Sequence, residues 1–146
     1  LPYQRSLIKE CKAIKNAEEI VRFLKKKNIP TALVTSSSRK SVEYKISLHP
    51  WIDLISFKVF GDDPEVKKGK PSPIPYLIAA KKLNLNPSNC WAIEDSASGI
   101  KSALDAKCKV WAYKSNDNFE KINLNKNPIY FNKLDFLLDK LNLVFS

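Results

Sequence analysis

The chain has 146 residues, which is the size of one domain and enough to bury a hydrophobic core. Its 25 basic and 15 acidic residues give a formal net charge of +10. No apolar run approaches the roughly 20 residues that a membrane span needs, and the opening residues, LPYQRSLIKE, lack the apolar segment of a signal peptide. We therefore expect a cytoplasmic protein that has no membrane partner.

The excess of positive charge favours an acidic partner, such as a phosphate ester or a nucleic acid. Most lysines lie on the predicted solvent faces of helices, as at 25–27, and no basic run is interleaved with aromatic residues. We therefore expect no nucleic-acid partner. A basic nucleic-acid-binding domain is kept as an alternative, and it would bind with a steep dependence on salt.

The cysteine content argues against a disulfide framework and against a zinc site. Cys11, Cys90 and Cys108 are odd in number and show no C-x-x-C spacing. Cys90 and Cys108 stand in apolar surroundings and are interpreted as small core residues. The chain contains no methionine and begins with leucine, so we also expect that an N-terminal portion has been lost.

Apolar runs alternate with helical patterns along the chain. Asn16 with Glu19 forms a variant capping box ahead of apolar residues at helical spacing, which predicts a helix over 17–27. The run TALVT at 31–35 has no polar alternation, which is typical of a strand covered on both faces. The other predicted elements are helices at 6–14, 36–48, 76–84, 97–106 and 132–141, and strands at 54–61, 90–93, 109–113 and 128–131. This order predicts an α/β fold with a mainly parallel sheet.

Polar clusters follow three of the predicted strands. They are Thr35-Ser36-Ser37, Gly61-Asp62-Asp63 and Glu94-Asp95-Ser96. In parallel sheets, ligands bind at the carboxyl ends of the strands, so this edge is where chemistry is expected. Within the second cluster, the two aspartates are interpreted as loop caps, with an accessory role in the site as the alternative.

The adjacent carboxylates of Glu94 and Asp95 repel each other at the end of a buried strand. A hard cation such as Mg²⁺ would offset this repulsion, because it prefers a few carboxylates together with water and phosphate oxygens. The alternative is that Asp95 only caps the following helix. Ser96 could cap that helix unaided, which makes two acids more than a cap requires.

The other candidates are a hydroxyl cluster and a loop lysine. Thr35 and Ser36 precede a predicted helix, and hydroxyls beside free amides at a helix N-terminus can form a phosphate pocket. A simple helix cap is the alternative for one of these serines. Lys70 stands between glycine and proline in a long polar loop, where a solvated side chain is the alternative to a functional one.

Three of these motifs occur in a recognisable order. ALVTSS, GKPSP and IEDSASGIKSA follow one another along the chain, which resembles the haloacid dehalogenase-like (HAD) hydrolase superfamily. The loop GDDPEVKKGKP is similar to that of the branch containing beta-phosphoglucomutase and pseudouridine 5′-phosphatase. The resemblance covers about residues 15–113 and implies a Rossmann-like core with a mainly parallel sheet and flanking helices.

The resemblance implies a role for each candidate. Thr35, with Ser36 beside it, would hold an oxygen of the transferring phosphoryl group, and Lys70 would neutralise its charge. Asp95 and Glu94 would bind Mg²⁺ directly or through water. The implied substrate is a small phosphorylated metabolite. These roles agree with the charge argument, because phosphoryl transfer is catalysed mainly by positioning and charge neutralisation.

The first motif of the superfamily, an apolar strand followed by D-x-D-G-T, is missing from this chain. No aspartate precedes Thr35, and the pair Asp62-Asp63 lacks the D-x-D spacing. The resemblance places the missing strand between TALVT and CWAI, in the middle of the sheet. We therefore expect residues 15–146 to form a core without its first strand, and residues 1–14 to be the remnant of a helical cap that is otherwise missing.

The expected function is that of a Mg²⁺-dependent phosphatase-type hydrolase that works through an aspartyl-phosphate. The nucleophilic aspartate would belong to an absent N-terminal segment, so the chain alone is expected to be inactive. The alternative is a catalytically inactive module that uses the same pocket to bind phosphate or a metal.

Overall fold

The structure is a computed structural model in which residues 11–114 and 122–145 are described. Within these residues the helices are α1 (Cys11–Lys26), α2 (Arg39–Leu48), α3 (Ile74–Leu83), α4 (Ala97–Asp105) and α5 (Leu134–Phe145). The strands are β1 (Ala32–Val34), β2 (Phe57–Val59), β3 (Trp91–Glu94), β4 (Lys109–Tyr113) and β5 (Ile129–Phe131), and short 3-10 helices cover Pro50–Leu54 and Pro87–Asn89. No helix of the described ranges is both long and apolar enough to cross a bilayer.

All strand pairs are parallel, which confirms the predicted fold class. Strand β1 pairs with β2, with Leu33 opposite Lys58. Strand β4 lies between β3 and β5, with Trp111 opposite both Ile93 and Ile129. Among the described residues β1 and β3 do not pair with each other, so the sheet consists of two parts.

Helices cover both faces of the three-stranded part. On one face, small side chains of β3 and β4 such as Ala92 and Val110 pack against α3 and α4 in a buried cluster that includes Tyr76 and Ala103. Cys108 lies in this cluster, where burial, with a smaller effect of the neighbouring Cys90 thiol, raises its pKa to about 11. Cys108 is therefore the core residue that the sequence predicted.

The opposite face carries the large side chains. Trp111 and Phe131 are fully buried, and they pack against Ile20 of α1 and Leu137 of α5. Because successive side chains of a strand point to opposite faces, the alternation of large and small residues in KVWAY serves both helical layers at once.

Two helices connect the two parts of the sheet. Helix α3 contacts β1, β2 and α4, and helix α1 contacts both α5 and the 3-10 helix Pro50–Leu54. Val34 of β1 packs against the same cluster as Ala92 of β3. The two parts therefore share one layered core, although no backbone hydrogen bond pairs β1 with β3.

Within the described residues no strand fills the gap between β1 and β3, and each of these strands has one edge that pairs with no other strand. The amide of Thr35 donates to the carbonyl of Val59 in β2. Along a strand of a parallel sheet, successive residues direct their backbone N–H and C=O groups to opposite sides. The backbone polar groups of Val34 therefore point toward the gap. On the other side, the backbone carbonyl of Cys90 accepts from Lys109 of β4, which turns the backbone of Ile93 toward the gap. The side chain of Ile93 is 42% exposed, which is high for a strand of a parallel sheet.

Two sequence-based predictions were wrong in detail. Asn16 lies inside α1 and not at its N-cap, because asparagine in a helix costs only a few tenths of a kcal/mol (roughly 0.7 at most) relative to alanine. The strand expected at 54–61 is reduced to Phe57–Val59. It forms only where it pairs with the three residues of β1, and Pro50 begins a 3-10 helix ahead of it. The helix expected at 6–14 lies mostly outside the described residues.

Substitutions of two isoleucines in the sheet test whether the gap beside β3 is open. Replacing Ile129, which is 1% exposed, with alanine is expected to lower the free energy of unfolding by about 2–5 kcal/mol, because it leaves a cavity. The same change at Ile93 is expected to cost less than about 1 kcal/mol, because this side chain is only partly packed. Urea unfolding followed by circular dichroism measures both values, and equal losses would contradict an open gap beside β3.

Candidate functional site

Lys70 joins the ends of the two strands that border the gap. Its ammonium nitrogen Nζ lies 3.0 Å from the carbonyl oxygen of Val34 at the end of β1. The same nitrogen lies 2.5 Å from Oε1 of Glu94 at the end of β3. The side chains of Lys70 and Glu94 are 9% and 7% exposed. The lysine is therefore a buried cation at the carboxyl edge of the sheet and not a solvated loop residue.

Glu94 is held by a second donor that the sequence interpretation missed. The hydroxyl of Tyr76, on helix α3, donates to Glu94 Oε1 at 2.6 Å. Burial, and then the negative charge of Glu94, raise the pKa of Tyr76 well above its usual value. A buried tyrosine hydroxyl needs a polar partner, and this rule was the one signal in the sequence that could have drawn attention to Tyr76.

The start of α4 packs against the carboxylate of Glu94. Gly99 lies in the first turn of this helix, and a Cβ at that position would overlap the carboxyl group of Glu94. The N-cap of α4 is Ser96, whose hydroxyl oxygen accepts from the amide of Gly99 at 3.1 Å. The N-cap residue of α4 is therefore Ser96 and not Asp95. Asp95 is exposed, whereas Glu94 is buried.

The hydroxyl cluster lies after β1, at the same edge of the sheet. Thr35 is buried, and its Oγ1 accepts from the amide of Ser37 at 3.0 Å. Ser38 is the N-cap of α2 and accepts from the amide of Ser41. Ser36 is exposed. The structure thus places both Thr35 and Lys70 at the carboxyl end of β1, since Lys70 binds the carbonyl of Val34.

The N-terminus of α2 has fewer free amides than expected. The amide of Arg39, the first residue of the helix, donates to Oδ1 of Asp62 at 2.9 Å. Oδ2 of Asp63 accepts from the amide of Phe60 at 2.9 Å. Both aspartates therefore cap backbone amides, in agreement with their interpretation as loop caps, and a carboxylate already occupies part of the predicted phosphate pocket.

The donor set of a metal site is incomplete within the described residues. Glu94 and Asp95 supply the carboxylate oxygens that a hard cation prefers. No group of three or more histidine, cysteine, aspartate or glutamate residues in 11–114 and 122–145 is arranged to hold an ion. One oxygen of Glu94 also accepts from both Lys70 and Tyr76. The pair fits Mg²⁺ chemically, but as only part of a coordination shell.

Comparison with known proteins identifies the family of the chain. The family model described as haloacid dehalogenase-like hydrolase matches residues 2–113. The bifunctional riboflavin kinase/FMN phosphatase of Arabidopsis thaliana is 38% identical over 133 residues, which cover 90% of this chain and 35% of that protein. Hexitol phosphatase A of Escherichia coli is 34% identical over 132 residues, or 90% of this chain and 56% of that one.

Solved structures give the same result. The crystal structure of a beta-phosphoglucomutase homologue from Thermotoga maritima superposes with a TM-score of 0.74 at 30% identity, covering 86% of this chain and 58% of that one. The chain thus spans between 35% and 58% of the length of these three proteins. With a family match that covers most of its length, and with the parallel α/β core described above, the chain belongs to the haloacid dehalogenase-like hydrolase family.

Proposed function

We propose that this chain forms most of the core of a phosphatase-type hydrolase that acts on a small phosphorylated metabolite. Two relatives, the riboflavin kinase/FMN phosphatase and hexitol phosphatase A, support this reaction class. The observation that carries the proposal is the placement of Lys70, a buried cation that contacts both strand ends at the edge where ligands bind in parallel sheets.

The nucleophile in this proposal comes from a strand that enters the gap between β1 and β3. A parallel strand there would pair with the amide of Val34 and with the backbone groups of Ile93, and it would end between Thr35 and Glu94. A carboxylate at that end would lie beside Lys70. We propose that a segment outside this chain supplies the strand and that the described part of this chain forms the remainder of the core.

Within this site, Lys70 and Thr35 act on the phosphoryl group. Charge develops on the phosphoryl oxygens during transfer, and fixed cations and hydroxyl donors at that position stabilise the transition state. Lys70 would offset this charge and that of the nucleophile. The hydroxyl of Thr35, whose oxygen accepts from Ser37, is left with its proton to donate to a phosphoryl oxygen, and Ser36 would add a second hydroxyl.

Glu94 and Asp95 would hold Mg²⁺. The bound ion would add positive charge at the phosphoryl oxygens. Asp95 is the ligand that solvent reaches, whereas Glu94 is fixed by Tyr76 and Lys70 against the start of α4. Tyr76 would in this way keep the second carboxylate in place when Lys70 turns toward a phosphate group.

A binding module without catalytic activity is the second candidate. It is favoured by the absence of a third carboxylate beside Glu94 and Asp95 in the described part of the chain. This alternative predicts that orthophosphate and Mg²⁺ bind without any hydrolysis, even when the gap is filled by a strand.

Supplying the strand is expected to produce activity. The chain alone should not hydrolyse p-nitrophenyl phosphate or hexose phosphates in the presence of Mg²⁺, because in this proposal the nucleophilic carboxylate belongs to the added strand. Fusion to an apolar strand that ends in D-x-D-G-T, taken from the upstream reading frame, should give Mg²⁺-dependent turnover. The matched control carries N-x-D-G-T. Turnover by the chain alone would contradict the proposal.

The roles of the charged residues are tested in the active fusion. Lys70→Ala and Asp95→Asn are each expected to lower kcat by about 100-fold or more, because each removes charge stabilisation from the transition state. Lys101 and Asp105 provide the matched controls, since they form an exposed ion pair at 2.9 Å on α4. Lys101→Ala and Asp105→Asn should leave kcat within about twofold. If Lys101→Ala and Asp105→Asn lowered kcat as much as Lys70→Ala and Asp95→Asn do, the roles assigned to Lys70 and Asp95 would be refuted.

A further inference from the structure

The loops after β1 and β2 are joined to each other at the proposed site. The amide of Gly61, after β2, donates to the carbonyl of Ser37, after β1, at 2.8 Å. The amide of Thr35 donates to the carbonyl of Val59 at 3.0 Å, so the pairing of the strands continues into the loops. The position of the Thr35 hydroxyl is therefore coupled to the loop that begins at Phe60.

Gly61 permits the close approach of these two loops. A Cβ at this position would overlap the backbone carbonyl of Ser36. The backbone of Gly61 does not adopt a positive φ, so glycine is required here for space and not for an unusual conformation.

Asp62 supplies a side-chain contact between the two loops. Its carboxylate accepts from the backbone amide of Arg39, which is 23 positions earlier in the chain, at 2.9 Å. Arg39 is the first residue of α2, directly after the N-cap Ser38. A carboxylate at this place satisfies an unpaired amide and interacts favourably with the positive end of the helix dipole. The start of α2 is thus anchored by a residue of the other loop.

The side chain of Arg39 adds a second attachment. Its guanidinium lies 4.4 Å from the centre of the Phe60 ring and 3.4 Å from Oδ1 of Asp63. The arginine side chain is 60% exposed, and an exposed ion pair contributes little to stability. The loop after β1 is therefore fixed mainly by two contacts to its backbone, one from the carboxylate of Asp62 and one from the amide of Gly61.

We propose that Asp62 is a positioning residue that holds the Thr35–Ser38 loop, and with it the Thr35 hydroxyl, in place for phosphate. This inference rests on the proposed function. It also explains which groups hold the phosphoryl group. Because the carboxylate of Asp62 already accepts from the first amide of α2, the phosphoryl group is held by Thr35 and Lys70 and not by the end of that helix.

The first test follows the order of the Thr35–Ser38 loop by amide hydrogen exchange and requires no enzymatic activity. In Asp62→Ala, the amides of Arg39 and Ser37 should exchange hydrogen about fivefold faster or more, because the first has lost its acceptor and the second bonds to Thr35 Oγ1. Asp62→Asn keeps an acceptor oxygen and should restore slow exchange at both amides. Asp53→Ala is the control, since Asp53 is an exposed acid that pairs with Lys58.

The second test uses the strand-completed enzyme. Asp62→Ala should lower kcat about tenfold with KM changed less than about twofold, because the Thr35 hydroxyl acts mainly on the charge of the transition state. Asp62→Asn should recover most of this loss, whereas a general loss of stability would lower the melting temperature without that recovery.

Two results would overturn the proposal: unchanged exchange at Arg39 and Ser37 in Asp62→Ala, or equal defects in Asp62→Ala and Asp62→Asn. If the strand-completed protein shows no turnover at all, the proposed function fails. The exchange measurement still decides whether Asp62 holds Thr35 in place.

Discussion

The arrangement of the site depends on the buried ion pair between Lys70 and Glu94. Both side chains are almost removed from solvent, and removing one partner of such a pair costs about 3–5 kcal/mol, because the other charge is left buried alone. The remaining contacts complete this pair: the carbonyl of Val34 accepts from the lysine, and the hydroxyl of Tyr76 donates to the glutamate. The repulsion between the adjacent acids Glu94 and Asp95 is thus relieved within the chain itself, by a lysine from a distant loop.

The ion pair lies at the point where the parallel sheet is interrupted. Strands β1 and β3 belong to one layered core but do not pair, and their facing edges turn backbone polar groups of Val34 and Ile93 toward the gap. Unpaired strand edges attract another strand, and here the charged groups of the site lie at the carboxyl end of those edges. The interrupted sheet and the proposed Mg²⁺ site therefore lie together, and in our proposal one added strand that ends in a carboxylate completes both.

Local patterns in the sequence predicted much of this architecture, and contacts between distant residues account for the rest. The strand at 109–113 has the predicted bounds, and Ser38 caps its helix as its residue type suggests. The polar strand ends drew attention to Thr35 and Glu94, and the family resemblance drew attention to Lys70; the structure places all three at the same edge of the sheet. The pairing of Asp62 with the amide of Arg39 could not be predicted, because it joins residues that are distant in the chain and depends on how two loops meet. Tyr76 was missed for the same reason, since its helical pattern resembles that of an ordinary core residue.

Hydrogen exchange at the two edges of the gap tests the central claim most directly. In the chain alone, the amides of Val34 and Ile93 should exchange fast compared with that of Val110 in the middle of the sheet, because among the described residues they face the gap and pair with no strand. When the apolar strand is supplied by fusion, both amides should become protected together with the appearance of turnover. Slow exchange of both amides in the chain alone, or turnover without new protection at Val34 and Ile93, would contradict the account.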